Sequence, residues 1–142
     1  MLRDHVAAQG FMRLVGAELE SISPGACVLS VARRPEVLQQ YGMFHGGVTA
    51  FLIDNGTTLA ACTLVGPGQG GLTAEYKLNL LAPAVGDRLV CRARVLRPGK
   101  TLSVVTADVY SVVNGTEKHC ATALATIAIV DLGGLPPVPK RG

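Results

Sequence analysis

A chain of 142 residues is long enough for one domain with a real core and does not need disulfides to hold it. Apolar residues make up 49% of it and charged residues only 16%, a lean cover for a small monomer, so association through an apolar surface is expected. The net charge of +3 is scattered and not interleaved with aromatics, which argues against nucleic acid. No apolar stretch reaches membrane-spanning length, and Met1-Leu2-Arg3-Asp4-His5 lacks a signal-peptide hydrophobic region, so no membrane partner and a cytoplasmic location are expected.

In chain order, residues 6–14 suit a short amphipathic helix with Val6, Phe11 and Leu14 as its apolar members, the whole N-terminal helical segment being 1–15. Residues 17–23 alternate as a strand, Ser23-Pro24-Gly25 marks a turn, and residues 27–32 read as the returning strand. A connection follows, with a helical turn around Pro35-Glu36-Val37-Leu38, and delivers the chain to His45-Gly46-Gly47.

From Gly46 a helix through Asp54 to Cys62 is expected, because Thr57 to Cys62 continue as another apolar run, although periodicity alone does not decide it. A strand over residues 48–53 closed by an Asp54-Asn55-Gly56-Thr57 turn is the competing reading, and a helix tolerates the internal glycine at a cost of about 1 kcal/mol. Strands over 72–81, 87–96, 101–113 and 117–130 complete the pattern, with Asn114-Gly115 as a hairpin turn. The order implies α+β, with an antiparallel sheet packed on the long helix, as one domain over 1–132. Residues 133–142 lack a pattern and read as a flexible tail.

Two glycine patterns carry no phosphate site. Gly66, Gly68 and Gly71 satisfy a dinucleotide pattern, but a helix precedes it and a strand follows, the reverse of what that pattern needs; a flexible loop is expected. Gly99-Lys100-Thr101 ends like a phosphate loop, but Arg94 stands where the glycine is needed. Cys27, Cys62, Cys91 and Cys120 lie singly in apolar segments and read as reduced core residues, with no metal and no cofactor expected. His5 and His119 have no visible partner and read as structural. Arg88, Arg92, Arg94, Arg97 and Lys100 form a local cluster that either meets an anionic small molecule along a sheet edge or is an ordinary solvated face.

The segment from Tyr41 to Asp54 concentrates the chemistry. Bare backbone N–H groups at His45-Gly46-Gly47 can meet a ligand oxygen at a helix start, and Asp54 places one carboxylate among apolar neighbours. Gln39, His45-Gly46-Gly47 and Asp54, at spacings of six and nine residues, resemble the hotdog-fold acyl-CoA thioesterases of the branch named for phenylacetic acid degradation. The strand from Leu72 into Ala82-Pro83-Ala84, Gly86-Asp87 and Arg97-Pro98-Gly99-Lys100-Thr101 resemble that branch's later blocks, so the resemblance covers about residues 16–130.

The resemblance implies a curved sheet wrapped around the central helix, an acyl-CoA substrate, and a homodimer with shared active sites, commonly assembled into a homotetramer. It sets His45 and Gly46 of one chain against Asp54 of the other.

In that setting Gly46 is the oxyanion donor and His45 supports it. Asp54 is general base or nucleophile, Gln39 holds the attacking water or the carboxylate, and Thr73 offers its hydroxyl to the same water, with a surface or capping role as the alternative for Gln39 and Thr73. Gly47, Arg97, Gly99 and Lys100 are the expected coenzyme A contacts, and Leu52, Leu59 or the strand from Leu72 the expected acyl slot. Two other readings stay open: a hotdog hydratase or dehydratase, and a non-catalytic acyl-CoA-binding module.

Overall fold

A computed structural model describes residues 2–137. Two short helices, α1 (Leu2–Ala8) and α2 (Gly10–Val15), lead into the hairpin β1 (Ala17–Ser23) and β2 (Ala26–Ala32). A 3-10 turn at Pro35–Val37 precedes the long helix α3 (Gly46–Cys62), and β3 (Gln69–Leu80), β4 (Arg88–Arg97), β5 (Leu102–Val113) and β6 (Thr116–Asp131) follow. The six strands form one antiparallel sheet in the order β1-β2-β4-β5-β6-β3.

The strand alternation decides which face meets α3. Leu89, Cys91 and Ala93 of β4 are buried while Arg88, Arg92 and Arg94 between them are exposed. Opposite them, Val105, Ala107 and Val109 of β5 and Ala121, Ala123, Ala125 and Ile127 of β6 continue the buried face. The helix answers with Leu52, Ile53, Leu59 and Ala60, the three large side chains each worth about 1.5–3 kcal/mol when fully removed from water. Gly56 faces the sheet, where a methyl would lie 3.4 Å from Cys91 Sγ, so the helix continues through the Asn55-Gly56 pair and sits low on β2 and β4. The turn reading of residues 54–57 is thereby excluded.

The N-terminal segment departs from its predicted phase. Gln9, extended at φ −69° and ψ 111°, separates α1 from α2, so one helical period does not span residues 6–14. Val6 and Met12 turn inward, while Phe11 and Leu14 are 55% and 70% exposed. Phe11 instead meets Phe51 of α3 edge-on, with ring centroids 4.9 Å apart.

The predicted loop at residues 66–71 is also shorter than expected, because β3 already begins at Gln69. Gly70 and Gly71 are strand residues: a methyl on Gly71 would come within 2.8 Å of Ile127 Cγ2, and one on Gly70 within 2.6 Å of Leu132 Cδ2. Asn114 and Gly115, at φ 49° and 78°, make the two-residue hairpin turn. Of the expected tail, Leu132–Gly134 forms a 3-10 turn tied by the Leu132 N–H to Gly68 O at 2.9 Å, and residues 138–142 lie outside the described residues.

All four cysteines are free, and burial pushes the Cys27 thiol up to about 12 and the Cys62, Cys91 and Cys120 thiols upward as well. Such thiols stay protonated and serve as small apolar packing groups. No described helix is long and apolar enough to cross a membrane.

Candidate active site

His45 is the N-cap of α3, extended at φ −65° and ψ 138°, and its Nδ1 accepts the Gly47 N–H at 2.8 Å. That acceptance fixes the neutral ring with its proton on Nε2. A methyl on Gly47 would stand 3.0 Å from His45 Nδ1, so glycine here gives the ring room to fold over the helix start. The backbone is clamped on both sides, with the His45 N–H on Val37 O at 2.9 Å and the Phe44 N–H on Ala84 O at 3.0 Å.

The cap leaves one amide unspent. Gly47 N–H is taken by the imidazole and is closed to a ligand, whereas the Gly46 N–H, first of the helix, has no acceptor among the described residues. Gly46 lines a cavity of about 400 Å³ together with Gln39, Met43, Thr49, Leu81 and Pro83. Gln39 spends its side-chain oxygen on the Tyr41 N–H and its backbone N–H on Met43 O, at 2.8 Å, which leaves its amide NH₂ for the cavity. Thr49, 1% exposed and one helical turn beyond Gly46, lines the same cavity, and its hydroxyl makes no side-chain hydrogen bond among the described residues.

Asp54 lies in a second cluster. Half-buried, it accepts the Thr73 hydroxyl on Oδ1 at 2.5 Å, and Thr58 Oγ1 lies 2.9 Å from Thr73 Oγ1. Its neighbourhood is therefore polar as well as apolar. A register shift between Thr73 and Glu75 in the β3–β6 ladder marks a bulge beside this site, with Thr73 turned to the helix and Glu75 to the opposite face, where it accepts the Thr126 hydroxyl at 2.6 Å. Thr58 carries no motif of its own. Its one sequence signal is the four-residue step from Asp54, which puts both on one helix face.

Within one chain these two clusters do not meet. Asp54 follows Gly46 by eight residues, roughly 12 Å along the helix axis, and neither Asp54 nor Thr73 borders the Gly46 cavity.

Arg97, Gly99 and Lys100 sit where β4 turns into β5, beside the C-terminal end of α3: Thr101 O accepts the Ile129 N–H at 2.8 Å, Ile129 pairs with Gly71, and Gly71 packs on Cys62. They are thus remote from Gly46 of the same chain. The Gly99 N–H is directed at Ser103 Oγ, at 3.3 Å, and a methyl on Gly99 would lie 2.0 Å from Leu102 O, so that glycine serves a close backbone approach.

The wider basic cluster is not at a sheet edge, since β4 has β2 and β5 on its two sides. Arg88 pairs with Glu20 at 3.1 Å. Arg92 grips Glu117 through both guanidinium nitrogens at 2.5 and 2.9 Å, a bond that lowers the Glu117 carboxyl and raises the guanidinium. Arg97 and Lys100 carry no ion pair among the described residues.

Other expectations shift in smaller ways. Leu52 and Leu59, 0% and 4% exposed, belong to the core and do not line an acyl slot. His119 does have a partner, with Nε2 2.8 Å from Asp108 Oδ1 and its ring stacked on Tyr110 at 5.0 Å on the outer sheet face. Among the described residues no three His, Cys, Asp or Glu side chains come together as a metal site.

Residues 41–118, more than half of the chain, match the thioesterase superfamily. Human acyl-coenzyme A thioesterase 13 is 33% identical over 111 residues, 76% of this chain and 78% of that protein. The crystal structure of a thioesterase family protein from Silicibacter pomeroyi superposes with a TM-score of 0.89 at 35% identity, over 92% of this chain and 96% of that one. The E. coli PaaI protein of the phenylacetic acid degradation operon shares the fold, with a TM-score of 0.79 at 20% identity over 90% and 89% of the two chains.

Proposed function

From the premise that the chain belongs to the thioesterase superfamily, we propose that it hydrolyses acyl-CoA thioesters at sites shared between two subunits, each site using the helix start of one chain and Asp54 of the other. The observation that carries this reading is the separation within one chain of an unspent Gly46 N–H from the only carboxylate on α3. Membership of a family of thioester hydrolases removes the ground for the hydratase and the binding-module readings.

The thioester carbonyl enters the Gly46 cavity and its oxygen accepts the Gly46 N–H. The charge that develops there on attack is stabilised by that bond and by the positive end of α3. His45 contributes by holding the turn, since its Nδ1 is already engaged with Gly47.

Across the interface, Asp54 keeps Oδ2 free while Thr73 occupies Oδ1. As general base, Oδ2 takes a proton from water, the water oxygen bonds to the carbonyl carbon, and the C–S bond then breaks as the proton passes to the leaving thiolate. As nucleophile, the same oxygen bonds to the carbonyl carbon, the C–S bond breaks and coenzyme A leaves as the thiolate; water then opens the mixed anhydride, giving the free acid and the Asp54 carboxylate, and the proton released neutralises the thiolate. In this scheme the Gln39 amide, which lines the Gly46 cavity, holds the water or the carboxylate.

Edge strand β3, with Leu72, Tyr76 and Leu80 exposed at 49%, 37% and 62%, is the pairing edge of the dimer, and tetramer formation then covers further apolar surface. Pairing also brings the β4–β5 turn, with Arg97 and Lys100, within service of the neighbouring subunit's site, where coenzyme A phosphates need charge. Thiol release across aromatic and straight-chain acyl-CoAs, with Asp54→Asn beside the wild type, tests the reading. Release that depends on Asp54 is expected; release unchanged in the variant would remove Asp54 from the chemistry.

A further inference from the structure

Thr58 has no part in the scheme above, yet its hydroxyl lies 2.9 Å from Thr73 Oγ1, which itself lies 2.5 Å from Asp54 Oδ1. The proton positions in this row follow from elementary chemistry. An ionised carboxylate only accepts, so the single Thr73 proton points to Asp54, and the bond between the two threonines takes its proton from Thr58. We propose that Thr58 is a positioning residue of this hydrolase. It donates to Thr73, locks that hydroxyl onto Asp54 Oδ1, and so keeps Asp54 Oδ2 aimed at the attacking water or the acyl carbon.

The geometry also revises the part read for Thr73. Its one proton is committed to the carboxylate, so while Asp54 is ionised Thr73 cannot donate to the water. Its rotor would otherwise be free. Thr58, one turn along α3 from Asp54, removes that freedom at the bulge where β3 passes the helix. The row responds to ionisation: protonated Asp54 becomes a donor, and the chain of bonds can then reverse from Asp54 through Thr73 to Thr58.

This inference rests on Asp54 being the catalytic carboxylate, and the test keeps the two apart. Thr58→Val keeps the branched shape and deletes the hydroxyl; Thr58→Ser restores it; Thr73→Ala removes the intermediary. For Thr58→Val, kcat for thiol release should fall about three- to tenfold with KM within about twofold. Because the row of hydroxyls supports the ionised carboxylate, its loss should move the acid limb of the kcat profile to higher pH. Thr58→Ser should recover both, and Thr58→Val should add nothing in the Thr73→Ala background.

An unchanged profile and kcat in Thr58→Val, or an equal loss with and without Thr73, would overturn the proposal. Full turnover by Asp54→Asn would instead overturn the Asp54 reading, and this inference with it.

Discussion

The two ends of this site are built in different ways. At the helix start, backbone does the work: His45 caps Gly47, Val37 and Ala84 clamp the turn, and Gly46 is left with a bare N–H facing a cavity. Two turns on, side chains do the work, through the row Thr58, Thr73 and Asp54 between helix and edge strand. In the proposed reaction the first binds negative charge and the second delivers the nucleophile. Their separation along one helix is the ground for the proposal that each site draws its two halves from two chains.

Breaking either half should silence the enzyme, and the sizes should differ. Asp54→Asn removes the carboxylate that, in the proposed reaction, accepts the proton or attacks, so kcat for thiol release should fall by about a thousandfold or more with the assembly unchanged by size-exclusion chromatography. Gly46→Pro is the sharper probe of the other half. Proline suits the first helical position, and His45 before it is already extended, so the fold should persist while the one N–H is deleted. A loss of about 100- to 1,000-fold in kcat is expected, and retention of wild-type kcat would take the Gly46 amide out of the reaction.

Smaller effects sharpen the contrast. Gly47→Ala crowds the His45 ring and should weaken the cap, lowering stability by about 1 kcal/mol in thermal unfolding while costing less activity than Gly46→Pro. Lys100→Ala should raise KM severalfold at nearly constant kcat. Arg92→Ala, which loses a guanidinium already spent on Glu117, should leave KM where it is. Equal KM changes in the two would dissolve the distinction between a free and a paired cation.

Much of the fold was legible because the signals were local and agreed. The strand at residues 17–23 and the helix start at Gly46 appear where alternation and the glycine turn put them. The misread elements failed for tertiary reasons. Gly70 and Gly71 look like a loop in sequence, but they pair with β6 as strand residues, and they are glycine because Leu132 and Ile127 leave no room for a side chain. Phe11 and Leu14 follow a helical period that Gln9 interrupts.

Gln39, His45, Gly46 and Asp54, whose roles are part of the proposal, were singled out by a family resemblance carried on their spacing, a one-dimensional property. The use of the Gly47 N–H by His45, the direction of the Thr73 proton and the presence of Thr58 were not, because each depends on which atoms meet across α3 and β3.

The most direct measurement mixes the two dead halves. Co-expression of Asp54→Asn chains with Gly46→Pro chains, isolated through two different tags so that both are present in every particle, creates sites with an intact Gly46 from one chain and an intact Asp54 from the other. Recovery of about a quarter to a half of wild-type thiol release is expected from random pairing. Activity no higher than that of the separate variants would contradict a site shared between subunits.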